Sequence, residues 1–380
     1  MPMSSLSLSR RDWLRASGAL GLTLALSACQ KKTSEPTDLR LSVEPEWARH
    51  EATLMTFCAA YSQFGEATTR ALQEEQIRFA RALAQFEPVT LFVAPDARER
   101  AQSLIEDASN ITLIEAPAFD MWARDSLALI GFDAAGQRVG INTRFNVWGE
   151  KVPDEPGYDR DRALAEPVLQ ALDIPMEMAG IVCEAGALDV DGAGRLMTSE
   201  TCLLSPSRNP YQGRKEVEAE LKRLTGAEEI LWLYGSDADT LSNGHVDGLA
   251  RFLSDSAVMV EVTEDRSHPD YYALQDNLRR LRRYSADATR PLDVIEVQRP
   301  LREEMPQRAA YFIASYAKAY IANGAVMMPK YGDEVRDEAA KAVYARAFPD
   351  RQIVQMEVNA IGEVGGGLHD LTQVLPAPKG

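Results

Sequence analysis

Four short clusters in the 380-residue chain hold the residue types that acid–base or cation-binding chemistry needs. Asn243-Gly244-His245-Val246-Asp247-Gly248 places a His two residues from an Asp, so in an extended segment the two share a face. An imidazole titrates near neutrality and a nearby carboxylate favours its protonated form, which is what a general acid/base requires. A hydrogen-bonded core His is the bland alternative, but the chain has only four His, and two of them, His245 and His369, lie in Gly-rich clusters. Asp120-Met121-Trp122-Ala123-Arg124-Asp125-Ser126 gathers two carboxylates, a guanidinium and an indole before an apolar run; a recognition patch and a surface salt-bridge turn both fit it. If extended, Arg124 and Asp125 point to opposite sides. Glu184 precedes a strand and can face a site, whereas Asp189 and Asp191 read as turn residues, with Asp191-Gly192-Ala193-Gly194 as a hairpin turn. Finally, Gly365-Gly366-Gly367-Leu368-His369-Asp370-Leu371-Thr372-Gln373 begins with glycines that permit positive φ or close approach to a ligand. Acids in a pocket attract a cation, and a guanidinium pairs best with planar carboxylates. The same His and Asp residues can hold a divalent metal, so composition leaves both open.

The elements that must position these clusters alternate along the chain. Apolar runs predict strands at 89–93, 111–114, 127–132, 139–141, 196–198, 230–233, 257–262, 294–297, 320–328 and 353–358. Three- and four-residue apolar spacing predicts helices at 67–86, 161–172, 214–224, 271–284 and 334–348, the last three with charged outer faces. The alternation after the triple glycine predicts one more buried strand, making that stretch a loop that delivers His369 and Asp370 to a site. About five α/β units fit the folded length, so the fold class is α/β.

Residues 1–28 read as a leader: Ser9-Arg10-Arg11-Asp12-Trp13-Leu14-Arg15 is a twin-arginine segment, and the apolar run 16–26 is too short to span a bilayer. Leu26-Ser27-Ala28-Cys29 looks like a bacterial lipoprotein cleavage box, which predicts a lipid on Cys29, a polar tether over 29–42, and a folded domain over 43–380. The expected place is the periplasmic side of the cell envelope, with membrane contact through that lipid only. Removing Arg10, Arg11, Arg15 and Asp12 leaves 38 basic against 56 acidic residues, a net −18 that opposes binding to nucleic acid. Cys58, Cys183 and Cys202 are odd in number and lack metal spacing, so buried free thiols are expected.

Taken in order, the clusters resemble the agmatine deiminase and bacterial peptidylarginine deiminase family of the guanidino-group-modifying superfamily. The landmarks are Glu46-Trp47 with His50-Glu51-Ala52-Thr53, Trp122-x-Arg124-Asp125, Phe145-Asn146-x-Trp148-Gly149 and Glu184-x-Gly186. They continue with Thr198-x-Glu200-x-Cys202-Leu203-Leu204, Arg208-Asn209-Pro210, Asn243-Gly244-His245-Val246-Asp247, Ala314-Ser315-Tyr316, Ile321-Ala322-Asn323-Gly324, Phe348-Pro349-x-Arg351 and Gly365-Gly366-Gly367-x-His369. The resemblance implies a five-bladed pseudo-fivefold α/β propeller, the pentein fold, and hydrolysis of a guanidinium through a Cys thiolate with no cofactor. It implies that Asp125 and Asp247 grip the guanidinium and that His245 is the acid/base. Glu184, Trp122, Gly366 and His369 would line the pocket. The ligand class so implied is agmatine, arginine or peptidyl arginine.

The chain departs from the family where the chemistry is done. The family loop carries its nucleophilic Cys directly after the His; here Asp370 stands there. Ala185, Asp189, Leu127-Ala128 and Lys318 are smaller departures. Three readings stay open: a hydrolase that uses Asp370 as nucleophile or base, a Cys-less binder of an arginine-type ligand, and a metal-dependent hydrolase built on Asp125, His245, Asp247 and Asp370.

Overall fold

The sheets repeat one topology five times. Each unit opens with an antiparallel pair, then crosses over through helix to a third strand parallel to the second, and one unit adds a fourth parallel strand. The computed structural model describes residues 40–379 apart from 60–64, 107, 153, 154, 156, 237, 238 and 306–311. The proposed leader, Cys29 and most of the tether lie outside the described residues.

The strands are β1 (His50–Thr56), β2 (Val89–Val93), β3 (Ile111–Glu115), β4 (Leu129–Phe132), β5 (Arg138–Asn142), β6 (Met176–Met178), β7 (Asp189–Val190) and β8 (Arg195–Ser199). They continue as β9 (Glu229–Leu233), β10 (Ala250–Ser254), β11 (Ala257–Val262), β12 (Asp293–Gln298), β13 (Tyr320–Ala322), β14 (Ala325–Lys330), β15 (Gln352–Glu357) and β16 (Gln373–Pro376). Four sheets are β4-β5-β6, β7-β8-β9, β10-β11-β12 and β13-β14-β15; the fifth is β16-β1-β2-β3. That fifth sheet joins the two ends of the domain, since Leu54 of β1 pairs with Gln373 of β16. The loop 365–372 is thereby fixed against the start of the fold. Residues Leu39–Gly380 form one compact unit.

Helical spacing accounts for the outer layer. Helix Arg214–Thr225 buries Val217, Leu221 and Leu224, and helix Tyr271–Asp287 buries Leu274, Leu278 and Leu281, each set on one stripe. Each such side chain stabilises the packing by roughly 1.5–3 kcal/mol. Gly226 closes the first of these helices in the left-handed conformation, and the Asp333 side chain accepts from the Arg336 N–H at the start of helix Glu334–Ala347.

Several expectations need correction. The apolar run 320–328 is two strands, β13 and β14, because Gly324 takes φ 71° and folds the chain back. The helix expected over 161–172 is two, Tyr158–Arg162 and Ala165–Ala171, with Leu164 buried between them. The strand expected from 127 begins at Leu129, since the preceding residues form a helical turn. Periodicity missed β1, whose buried face on both sides leaves no alternation to read.

Candidate active site

Each of the five units places a single helical turn immediately before its first strand. These turns are Ala123–Ser126, Ala185–Ala187, Val246–Gly248, Tyr316–Lys318 and His369–Leu371. They pack against one another around the ring. A short turn of this kind aims side chains inward while its flanking strand is anchored in a sheet. The polar side chains collected this way are Asp125, His245, Asp247, Lys318 and Asp370, all buried, with Glu184 at the head of the second turn. Neither Asp125 nor Asp247 sits in the extended segment that the sequence suggested. The segment 120–126 is buried, so it is not a surface turn.

Asp125, His245, Lys318, Asp370, Trp122, Trp148, Gly365 and Gly366 line a narrow cleft with a cavity volume of about 30 Å³. Lys318 Nζ donates to Asp370 Oδ1 at 2.8 Å and Oδ2 at 2.9 Å, and to Asp247 Oδ1 at 3.2 Å. The Gly367 N–H adds a bond to Asp370 Oδ2 at 2.6 Å. Burial would lower the Lys318 pKa, but Asp247 and Asp370 outweigh it and raise it. Burial likewise works to raise Asp247, but Lys318, His369 and His245 hold its carboxyl well below the ordinary range.

Asp125 behaves differently. Its Oδ2 accepts from the Trp148 indole N–H at 2.8 Å, while Oδ1 is buried without a hydrogen-bond partner among the described residues. Burial, with Asp370 and Glu184 nearby, pushes its pKa up to about 7 against the opposing pull of His245 and Trp148. Trp148 lies in a strained loop: Arg144, Val147, Trp148 and Glu150 all have positive φ, unfavourable for side chains of this size.

Glu184 and His369 stand behind this lining. Glu184 accepts from Arg208 Nε at 2.9 and 3.1 Å, and His245 Nε2 lies 3.2 Å from its Oε2. Burial opposes protonation of His245, yet Asp125, Cys202 and Glu184 raise its pKa well above the usual imidazole value. His369 bridges two carboxylates: Nδ1 is 2.7 Å from Asp247 Oδ2 and Nε2 is 2.7 Å from Glu46 Oε2. Glu46 also accepts from Arg124 and Arg251 at 2.9 and 2.8 Å, and despite its burial these cations hold it well below the carboxylate range. Arg124 thus anchors the base of the site while Asp125 faces the cleft.

The glycines have separate reasons. Gly365 takes φ 92°, a Cβ on Gly366 would lie 2.1 Å from the Trp122 ring, and one on Gly367 would lie 2.8 Å from Lys318 Cβ. A Cβ on Gly186 would come within 2.8 Å of His245 Nδ1, 3.0 Å of Asp247 Oδ2 and 3.2 Å of Asp125 Oδ1.

Sequence reasoning missed three contributors. Lys318 stood out only as a departure from the family pattern, and Trp148 and Glu46 only as landmarks. Asp189, expected in a turn, is a buried member of β7 whose Oδ2 accepts from the Phe252 N–H. Asp191 does serve its turn, accepting from the Ala193 and Arg195 N–H groups. Cys58, Cys183 and Cys202 are buried free thiols, and burial pushes Cys58 and Cys183 up. His245, Asp247 and Asp370 offer ligand atoms within 4.8 Å of one another, but the ammonium of Lys318 is bonded to both carboxylates of that group. A divalent cation would have to displace it.

Five α/β units around a buried acidic cluster define the pentein class of α/β propellers. The Porphyromonas-type peptidyl-arginine deiminase family matches residues 42–376, and the chain belongs to that family. The agmatine deiminase of Pseudomonas aeruginosa is 30% identical over 368 residues, covering 91% of this chain and 98% of its own. That of Ectopseudomonas mendocina is 29% identical over 375 residues, covering 92% and 99%. A solved structure of the agmatine deiminase of Enterococcus faecalis superposes with a TM-score of 0.80 at 27% identity, covering 88% of this chain and 96% of that one. The chain is therefore a member of a guanidino-group-modifying family of C–N hydrolases.

Proposed function

We propose that this chain recognises an agmatine- or arginine-type guanidino ligand without carrying out the covalent deimination of its relatives. The observation that carries this reading is Asp370, whose carboxylate is held by both Lys318 Nζ and the Gly367 N–H. A carboxylate is a far weaker nucleophile than a thiolate toward an amidinium carbon, and one bound by an ammonium is weaker still. The recognition half of the site remains: Asp125 Oδ1 makes no hydrogen bond and lies 3.9 Å from His245 Nδ1, with Trp122 and Trp148 beside it in the cleft. Counting Asp247 and Asp370 as anions against Lys318 and a protonated His245, the cleft gains one net negative charge when Asp125 ionises, which favours a guanidinium cation.

Ammonia release from agmatine, arginine and a blocked arginyl peptide tests the reading. Wild type should release none above buffer. Release that disappears in Asp370→Asn would show that Asp370 performs the chemistry and overturn the proposal.

We also propose that residues 1–28 are a twin-arginine signal and that Cys29 carries a lipid; the order of arginines, apolar run and small-residue box supports this. Labelled fatty acid should enter the full chain and not Cys29→Ala; equal labelling would contradict it.

A further inference from the structure

The binding half of the cleft presents an asymmetry. A guanidinium is planar and binds best when several carboxylate oxygens accept its N–H groups in its own plane. Of the carboxylates expected to grip it, Asp125 leaves Oδ1 without a hydrogen bond, 3.9 Å from His245 Nδ1, but Asp247 is engaged on both oxygens, Oδ1 by Lys318 Nζ and Oδ2 by His369 Nδ1. Asp370 is likewise engaged on both oxygens. The cation that saturates them comes from the chain itself, on the turn Tyr316–Lys318, and reaches them past Gly367, where a Cβ would collide with the lysine stem.

We propose that Lys318 is a built-in occupant of the guanidinium subsite, a tethered cation that competes with an external guanidino ligand for Asp247 and Asp370 and thereby sets the affinity of the site. This rests on the guanidino reading given above. Asp370 and Lys318 cancel in charge, so the cleft keeps its net attraction for a cation while losing its second open carboxylate. To reach a second carboxylate, a guanidino ligand displaces the Lys318 ammonium from Asp247. A ligand of the same length with a ureido group in place of the guanidinium brings no charge to that end and does not compete with Lys318 there by charge.

Two measurements test this. Calorimetric titration of agmatine and of an analogue with a neutral ureido group in place of its guanidinium compares wild type with Lys318→Ala/Asp370→Asn, a pair that removes one charge of each sign. The expected result is at least tenfold tighter agmatine binding in the double variant, with the ureido analogue changed by less than twofold. Unchanged or weaker agmatine binding in a variant that still unfolds cooperatively would overturn the proposal, as would equal gains for both ligands. Should the variant fail to fold, nitrogen-15 spectra of the lysine side chains in wild type decide. The buried ammonium should give a slowly exchanging signal, assigned to Lys318, that shifts as agmatine saturates the site. A Lys318 signal unmoved at saturation would overturn the proposal. Ammonia release by wild type would sink the non-deiminating reading while leaving both of these comparisons readable.

Discussion

Lys318 Nζ lies 2.8 and 2.9 Å from the two carboxylate oxygens of Asp370, across 52 residues of chain. Both side chains are at most 7% exposed, so the pair is a buried one. Its formation joins the fourth helical turn of the ring to the fifth.

Removing one partner of a buried ion pair leaves the other uncompensated, which typically costs about 3–5 kcal/mol. Lys318→Met should lose stability of that order in urea denaturation, and adding Asp370→Asn should restore part of it. A loss below about 1 kcal/mol in the single variant would show that the pair contributes little.

The same cluster makes a pH prediction. Asp247 is depressed in the fold, so its contribution is present above its ordinary value near 3.8 and is lost as pH falls through the depressed one. Lys318 is raised, so its contribution is complete below its ordinary value near 10.5 and is lost only as pH rises through the raised one. Wild type should therefore exceed Lys318→Met in stability across the whole range between these values. A difference confined to one side of neutrality would contradict the assignment.

Asp125 should control ligand affinity through its own ionisation. Its pKa is pushed up to about 7, and only the carboxylate form attracts a cation. Agmatine affinity should rise with pH through neutrality and fall about tenfold per unit well below it. Asp125→Asn should bind weakly at every pH. Trp148→Phe removes the N–H bond that favours the ionised form, so its affinity profile should move toward higher pH, by roughly half a unit or more. A profile that moves to lower pH, or stays put, would contradict the role given to the indole.

Gly186 gives a steric test. Gly186→Ala would press a methyl between His245, Asp247 and Asp125, and overpacking of this kind costs about 1–3 kcal/mol. Ligand binding should be lost while a cooperative unfolding transition is retained; undiminished binding would show that the three groups need not stay in contact.

Much of this candidate site was legible in sequence because most of its residues sit in short polar clusters before apolar runs. Asp125, His245 and Asp370 all reach the cleft from such clusters, with Trp122 and Gly366 beside them. Periodicity found the four long helices and most strands but missed helix Arg98–Ile105, and the count of about five units matches the five sheets. Local pattern could not show that Glu184 and His369 lie one layer back, since that depends on Arg208, 24 residues further on, and on Glu46, 323 residues earlier in the chain. Lys318 was the largest omission. It sits alone among Ser, Tyr and Ala, and nothing near it in sequence pairs with it; both partners arrive from other turns of the ring. The hairpin inside 320–328 was hidden because two buried strands around one tight turn read as a single apolar run.

The most direct measurement follows agmatine binding and ammonia release together, in one sample of wild type at pH 8 beside Asp125→Asn. Wild type should bind saturably, Asp125→Asn should not, and neither should release ammonia. Sustained ammonia release by wild type, or binding indifferent to Asp125, would contradict it.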